Sequence, residues 1–168
     1  MKNNALEQVY STIIAVDPDV DRNGVACLDV NTKSLDIKSL SFPETLDYFQ
    51  VYARHHDNVQ VIIEAGWLNQ SNWHLMRFDS KAKAAALGNS VGRNHEVGRK
   101  LAEMCDYWKI PYKLVKPLKK VWKGKDGKIT AEELKLFTGY KSRTNQEGRD
   151  AALLAWVSAN LPIRIVNR

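Results

Sequence analysis

Four acidic residues stand at the ends of predicted structural elements, where their carboxylates could act together. Asp17 closes the first apolar run of the chain, and Glu64 closes a second one. Glu147 and Asp150 lie three residues apart near the start of a helical stretch over residues 145–160. Two acids at strand ends and an acidic pair on a late helix favour one interpretation, a carboxylate cage for a divalent metal ion.

The reason for grouping these acids is the cost of burying them. An unpaired carboxylate at the end of a buried strand is unfavourable unless a charge partner or a metal ion compensates it. Asp17 and Glu64 lie side by side if their strands are neighbours, and residues three apart on a helix share one face. Hard oxygen ligands select Mg²⁺ or Mn²⁺. Two such ions about 3.5–4 Å apart, bridged by one aspartate, would activate a water and stabilise the leaving 3′ oxygen of a phosphodiester.

Each acid taken alone also has a structural interpretation. Asp17 precedes Pro18 and has the character of a turn former. Glu64 is consistent with a surface acid at a strand end, and Glu147 with a first-turn acid favoured by the helix dipole. The order and placement of the four acids together favour the metal cage.

Hydrophobic periodicity predicts the elements that must position these acids. Two capping boxes, beginning at Ser41 and Thr130, open helices, and Asn145 caps the last helix. Strands are predicted over 11–17, 24–30, 33–40, 59–64 and 112–116, and helices over 42–56, 82–87, 90–108, 130–137 and 145–160. This pattern predicts an α/β fold of one domain over residues 1–168, a five-stranded mixed sheet flanked by helices.

The net charge of +6 is concentrated in the middle of the chain. Residues 77–128 hold 14 Lys and Arg against five Asp and Glu. A basic middle between acid-bearing ends is typical of a nuclease, in which cations hold phosphates and carboxylates hold metal. A solvated basic surface without a ligand is the alternative.

Other function classes find no support in the sequence. It contains no phosphate-binding Gly-rich loop, zinc pattern or Ser or Cys triad signature, which argues against nucleotide hydrolysis and acyl transfer. No apolar run approaches the ~20 residues of a membrane span, and no signal-peptide stretch opens the chain, so no membrane partner is expected. Cys27 and Cys105 are predicted to be free and buried, as in a cytoplasmic protein.

At these acids the chain resembles the RuvC-type Holliday junction resolvases, a branch of the RNase H-like superfamily. That family opens with a strand ending in Asp-Pro-Gly and a later Gly, and here Asp17-Pro18-Asp19 is followed by Gly24. Its second acid closes the fourth strand, as Glu64 does. Its last helix carries two acids three apart, followed by small and apolar residues, which matches residues 147–155. A lysine-bearing stretch before that helix is matched by residues 119–124.

The resemblance implies an RNase H-like nuclease domain with Mg²⁺, or Mn²⁺, as cofactor. Asp17 would bridge the metals, Glu64 and Asp150 would complete their shells, and Glu147 would hold or orient the attacking water. Lys119, Lys120 and Lys128 are the implied phosphate contacts.

Three departures from the family pattern stand out. Asp19 replaces the usual Gly and adds a negative charge beside the site. Glu147 stands where Asp or His is more usual, so its longer side chain must reach from further back. The segment over residues 66–72 also differs from the junction-reading segment of the family.

Two further groups are candidate DNA contacts. The predicted helix start at Ser90 would leave N–H groups free to bind phosphate, so Arg93 and Asn94 are candidates, with helix packing as the alternative. Trp67 and Trp73 flank a polar segment after Glu64, where they would either stack on unpaired bases or pack in the core.

The favoured hypothesis is a Mg²⁺-dependent endonuclease that resolves four-way DNA junctions. Cutting a two-fold symmetric junction requires two active sites, which predicts a homodimer. Val97, Leu101 and Met104 are candidates for its apolar face, or else for the core. The alternatives are an RNase H-like nuclease acting on forks, flaps or RNA–DNA hybrids, and a non-catalytic nucleic-acid-binding module.

Overall fold

The structure, a computed structural model, describes residues 10–69 and 81–163. Within these ranges the chain forms five strands and four α-helices in the predicted order. The elements are β1 (Thr12–Asp17), β2 (Asn23–Asp29), β3 (Leu35–Leu40), α1 (Phe42–His55), β4 (Val59–Glu64), α2 (Lys81–Trp108), β5 (Tyr112–Val115), α3 (Ala131–Thr138) and α4 (Gln146–Ser158).

The five strands form one mixed sheet in the order β3-β2-β1-β4-β5. The first three strands pair antiparallel, while β1 pairs with β4, and β4 with β5, in parallel. The predicted five-stranded mixed sheet is confirmed. The pairing of Val16 with Ile63 shows that the two strands ending in Asp17 and Glu64 are neighbours that run in the same direction.

Helices cover both faces of the sheet, and strand alternation decides which side chain faces which helix. On one face Ile13, Ala15 and Ile62 pack against α3 and α4. On the other face Ile14 and Val16 pack against α1 and α2. Because helices cover the sheet on both sides, β1 and β4 are apolar on both faces.

The predicted helix caps are present. The Glu44 carboxylate accepts a hydrogen bond from the Ser41 N–H at 2.7 Å, and the Thr130 hydroxyl accepts one from the Glu133 N–H at 3.1 Å. The Asn145 side chain accepts one from the Gly148 N–H at 3.0 Å. These bonds satisfy N–H groups that have no partner inside their helices.

The prediction of two helices over 82–87 and 90–108 is wrong, because a single helix, α2, runs through both. Gly88 and Asn89 suggested a break, but each disfavours a helix by only about 0.5–1 kcal/mol relative to Ala. Extending an existing helix is easier than starting a new one, and the second half of α2 is anchored by buried Leu101 and Cys105.

Leu101 is fully buried, and Val97 packs beside it. These two residues therefore belong to the core, which was the alternative to an apolar dimer face. Cys27 and Cys105 are free and buried, as predicted. No helix in the described part of the chain has the length and apolar character to cross a membrane.

Candidate active site

Asp17 and Glu64 lie together at one edge of the sheet, on the face covered by α4. They follow Val16 and Ile63, which pair directly, so they come next to each other on the two strands. Alternation from Ala15 and Ile62, which face α4, puts both acids on that same side. The predicted neighbourhood of the two strand-end acids is therefore present.

Gly24 brings the third element to this edge. It pairs with Asp17 across β1 and β2, and a Cβ on Gly24 would collide with the backbone carbonyl of Glu147. The absence of a side chain thus lets the first turn of α4 lie directly on β2. This contact sets the helix that carries Asp150 against the strand that carries Asp17.

Asp150 completes a group of three carboxylates in one cavity of about 130 Å³. Its Oδ2 lies 3.4 Å from the ammonium of Lys128, and its Oδ1 accepts a hydrogen bond from Gln146 Nε2 at 2.8 Å. Three lysines share the cavity wall with the acids: Lys119, Lys120 and Lys128. Negative and positive groups therefore face the same small space.

The carboxylates influence one another strongly. Burial raises the pKa of Asp17 well above its ordinary value, the charges of Glu64 and Asp150 raise it further, and Lys128 opposes them. Burial and the charge of Asp150 likewise raise the pKa of Glu64, against the effect of Lys120 and Lys128. Such a cluster is unfavourable when fully ionised and is stabilised by added positive charge.

The lysines lie on the lysine loop, residues 117–128, which folds back on itself. Trp122 N–H donates to the Gly127 carbonyl at 3.0 Å, and Gly127 has a φ of +73°, a conformation that favours glycine. Glu133, 7% exposed, accepts hydrogen bonds from the N–H groups of Lys123 and Thr130 at 3.1 Å each. The cap of α3 therefore also holds the lysine loop against the site.

The donor set of this site fits a hard divalent cation. The negative charges of Asp17, Glu64 and Asp150 repel one another, and Lys128 compensates them only in part. Within residues 10–69 and 81–163, however, no three Asp, Glu, His or Cys side chains are already grouped at ligand spacing. Ligation of an ion by Asp17, Glu64 and Asp150 therefore requires these side chains to close together and Lys128 to move off Asp150.

The architecture matches a known structure. T. thermophilus RuvC in complex with Holliday junction substrate aligns with a TM-score of 0.52 and 14% sequence identity, over 87% of this chain and 90% of that one. The protein has the RuvC fold. Neither a family model nor a curated protein sequence matches the chain. At this identity the likeness establishes the RNase H-like α/β fold, and the chemistry has to be argued from the site.

Glu147 lies in the first turn of α4. Its backbone lies on Gly24, but its side chain is not among those lining the cavity with Asp17, Glu64 and Asp150. Of the acids that raise the pKa of Asp17, Glu147 has the smallest effect. The structure therefore gathers three of the four predicted acids and leaves the fourth beside them.

The premise for Arg93 and Asn94 as phosphate contacts is wrong. Ser90 lies inside α2 rather than at its start, so its N–H is not free for an anion. Asn94 Oδ1 accepts a hydrogen bond from Val20 N–H at 3.0 Å, and its Nδ2 donates to Asp19 at 3.1 Å. Asn94 thus fastens α2 to the β1–β2 turn, while Arg93 is exposed on the helix.

Asp19, the departure from the family glycine, has a role in the turn. Its Oδ1 accepts hydrogen bonds from the N–H groups of Asp21 and Arg22, at 2.9 and 3.4 Å, and its Oδ2 binds Asn94. The carboxylate is therefore satisfied locally by the turn that follows Asp17.

Trp67 packs on the protein. Its ring lies against Gly98, and the Arg99 guanidinium is 5.2 Å from its centroid. It also lines a second cavity of about 460 Å³ that shares Asp17 and Glu64 with the first. Trp73 lies outside the described residues.

Two residues around Asp150 were not predicted from the sequence. Gln146 and Arg149 lie on the first turn of α4 and bond to each other at 2.8 Å. The spacing of Gln146 and Asp150, four residues apart on a helix, is a signal that could have identified the first of them.

Proposed function

We propose that the protein is a Mg²⁺- or Mn²⁺-dependent endonuclease that cleaves branched DNA, with four-way junctions as its substrate. The observation that carries the proposal is the joint placement of Asp17, Glu64 and Asp150 in one cavity walled by lysines. The RuvC fold supports it, since the matching RuvC structure is a complex with a Holliday junction substrate.

The three carboxylates would hold the metal ions, and Glu147 would reach toward them from the adjacent helix turn. Bound metal would supply the charge that activates a water and stabilises the leaving 3′ oxygen. Lys119 and Lys120 are exposed beside the acids and would bind the phosphates that flank the cleaved bond. Lys128, once off Asp150, would join them.

The two adjoining cavities offer a path for a DNA strand. The first holds the acids and the lysines, and the second extends from Asp17 and Glu64 along Trp67 toward α2. A strand that follows this path would place one phosphodiester beside the carboxylates. Cleavage of both strands of a symmetric junction would require a homodimer, which we also propose.

The test is a nicking assay on a labelled synthetic four-way junction, with matched duplex, fork and RNA–DNA hybrid as controls. We expect paired, symmetric nicks in the junction with Mg²⁺, none with EDTA, and none by Asp17→Asn. Cleavage restricted to forks or hybrids would retain the chemistry and reject the substrate. Junction binding without cleavage under every metal condition would reject the nuclease and leave a binding module.

A further inference from the structure

The amide of Gln146 connects α4, the lysine loop and Asp150. Its Nε2 donates to Asp150 Oδ1 at 2.8 Å and to the backbone carbonyl of Ile129 at 3.2 Å. Its Oε1 accepts a hydrogen bond from Arg149 Nη2 at 2.8 Å. Both donors and the oxygen of this half-buried amide are therefore engaged, and Ile129 immediately follows Lys128 at the end of the lysine loop.

The partners fix which way the amide faces. A guanidinium only donates and a backbone carbonyl only accepts, so the oxygen of Gln146 must face Arg149 and its nitrogen must face Ile129. That orientation also points the nitrogen at Asp150, which as a carboxylate only accepts. A flipped amide would lose all three bonds.

Arg149 is itself held in place. Its Nε donates to the Ile129 carbonyl at 3.2 Å, and its Nη1 donates to the Thr144 carbonyl at 2.9 Å. The guanidinium thus links the segment before α4 to the end of the lysine loop. Because these two bonds fix its plane, it presents Nη2 to Gln146 in a single direction.

The result is that the two oxygens of Asp150 differ. Oδ1 is occupied by Gln146, and Oδ2 faces the cation of Lys128. We propose that Gln146 is a positioning residue that holds Asp150 with Oδ2 directed to the cation site, and that Arg149 fixes the orientation of Gln146. This inference rests on the proposed metal-dependent nuclease and assigns residues outside the carboxylate set that the resemblance implies.

Removing a side chain that hydrogen-bonds to a metal ligand typically weakens metal binding by about 10–100-fold. The experiment therefore measures Mn²⁺ affinity by isothermal titration calorimetry and by electron paramagnetic resonance. The proteins are the wild type, Gln146→Met, Asp150→Asn and Gln50→Met. Met keeps the length of Gln without its hydrogen bonds, and Gln50, which bonds to Arg54 on α1, is a matched helical glutamine away from the site.

We expect Gln146→Met to raise the Kd for Mn²⁺ about tenfold or more and Gln50→Met to leave it unchanged. The Mn²⁺ concentration for half-maximal DNA cleavage should rise by the same factor in Gln146→Met, while the rate at saturating Mn²⁺ recovers. A purely structural role would lower the melting temperature without this displacement of the metal dependence. Arg149→Lys, which keeps the charge but not the planar fork, should shift the Kd in the same direction.

A failure of the proposed metal site and a failure of the positioning role of Gln146 give different results. If Asp150→Asn binds Mn²⁺ as tightly as the wild type, the metal site of the proposed function is rejected, and the inference with it. If Asp150→Asn weakens binding while folded Gln146→Met and Arg149→Lys bind like the wild type, the positioning role is rejected and the nuclease proposal stands.

Discussion

Gly24 on β2 lies directly beneath the backbone carbonyl of Glu147 on α4, with no room for a side chain between them. Gly24 also pairs with Asp17. One residue without a side chain therefore sets the distance between the strand that carries Asp17 and the helix that carries Asp150.

Gly24→Ala should consequently destabilise the fold and displace α4. The added methyl group would meet backbone rather than a flexible side chain, so we expect a loss of about 1–3 kcal/mol or more in the free energy of unfolding. Gly92→Ala is the control, because a Cβ there has no atom within 4 Å and lies in a helix. It should stabilise by about 0.5–1 kcal/mol. Urea unfolding measures both, and equal effects of the two variants would contradict the proposed contact.

Asp17→Asn should stabilise the metal-free protein, increasingly so as pH rises. The pKa of Asp17 is raised in the folded state by burial and by Glu64 and Asp150, so the folded state binds more protons than the unfolded one. Stability carried by the protonated acid is therefore lost as pH rises from about 4 through the folded pKa. Melting temperatures of the wild type and Asp17→Asn, measured in EDTA from about pH 4 upward, test whether the stability difference grows with pH. A difference between them that does not change with pH would refute it.

Glu133→Ala should damage both α3 and DNA binding. Burial raises the pKa of Glu133, but hydrogen bonds from the backbone N–H groups of Thr130 and Lys123 outweigh it and lower the pKa, so the carboxylate is ionised and bonded. We expect a loss of about 1–2 kcal/mol in unfolding free energy. Weaker junction binding should follow because the lysine loop loses its anchor. Glu132→Ala, at an exposed neighbouring position, is the control for both measurements.

Lys119→Ala should weaken DNA binding on every sequence and reduce its dependence on salt. Removing one phosphate contact reduces the slope of log K against log salt concentration by about 1. Lys33→Asn removes an equal charge at the opposite end of the sheet, at a positive φ that Asn tolerates, and should leave the slope unchanged. Fluorescence anisotropy at several salt concentrations distinguishes the two, and equal slopes for both variants would point to a diffuse charge effect.

The sequence was sufficient to predict the sheet and two of its acids because strand signals are local. The apolar runs before Asp17 and Glu64 end where their strands end, and alternation determines the face on which each acid lies. Helix α2 was divided wrongly because Gly88 and Asn89 carry a weak local signal that the packing of the rest of the helix overrides.

The site needed the structure because its remaining contacts join segments that are distant along the chain. The bond from Asn94 to Asp19 spans 75 residues, and no helical or strand period indicates it. The pairing of Lys128 with Asp150 depends on how the lysine loop folds back, which Glu133 and Gly127 decide together. Phosphate binding by Lys128 stays a prediction, and its ammonium lies 3.4 Å from Asp150 Oδ2 in the structure.

The measurement that tests the central claim most directly is a crystal structure of the protein soaked with Mn²⁺ and recorded at a wavelength that gives manganese an anomalous signal. We expect an anomalous peak within about 2.0–2.5 Å of oxygens from Asp17, Glu64 and Asp150, with Lys128 moved off Asp150. An empty cavity, with the pair of Lys128 and Asp150 intact at saturating Mn²⁺, would contradict a metal-dependent active site.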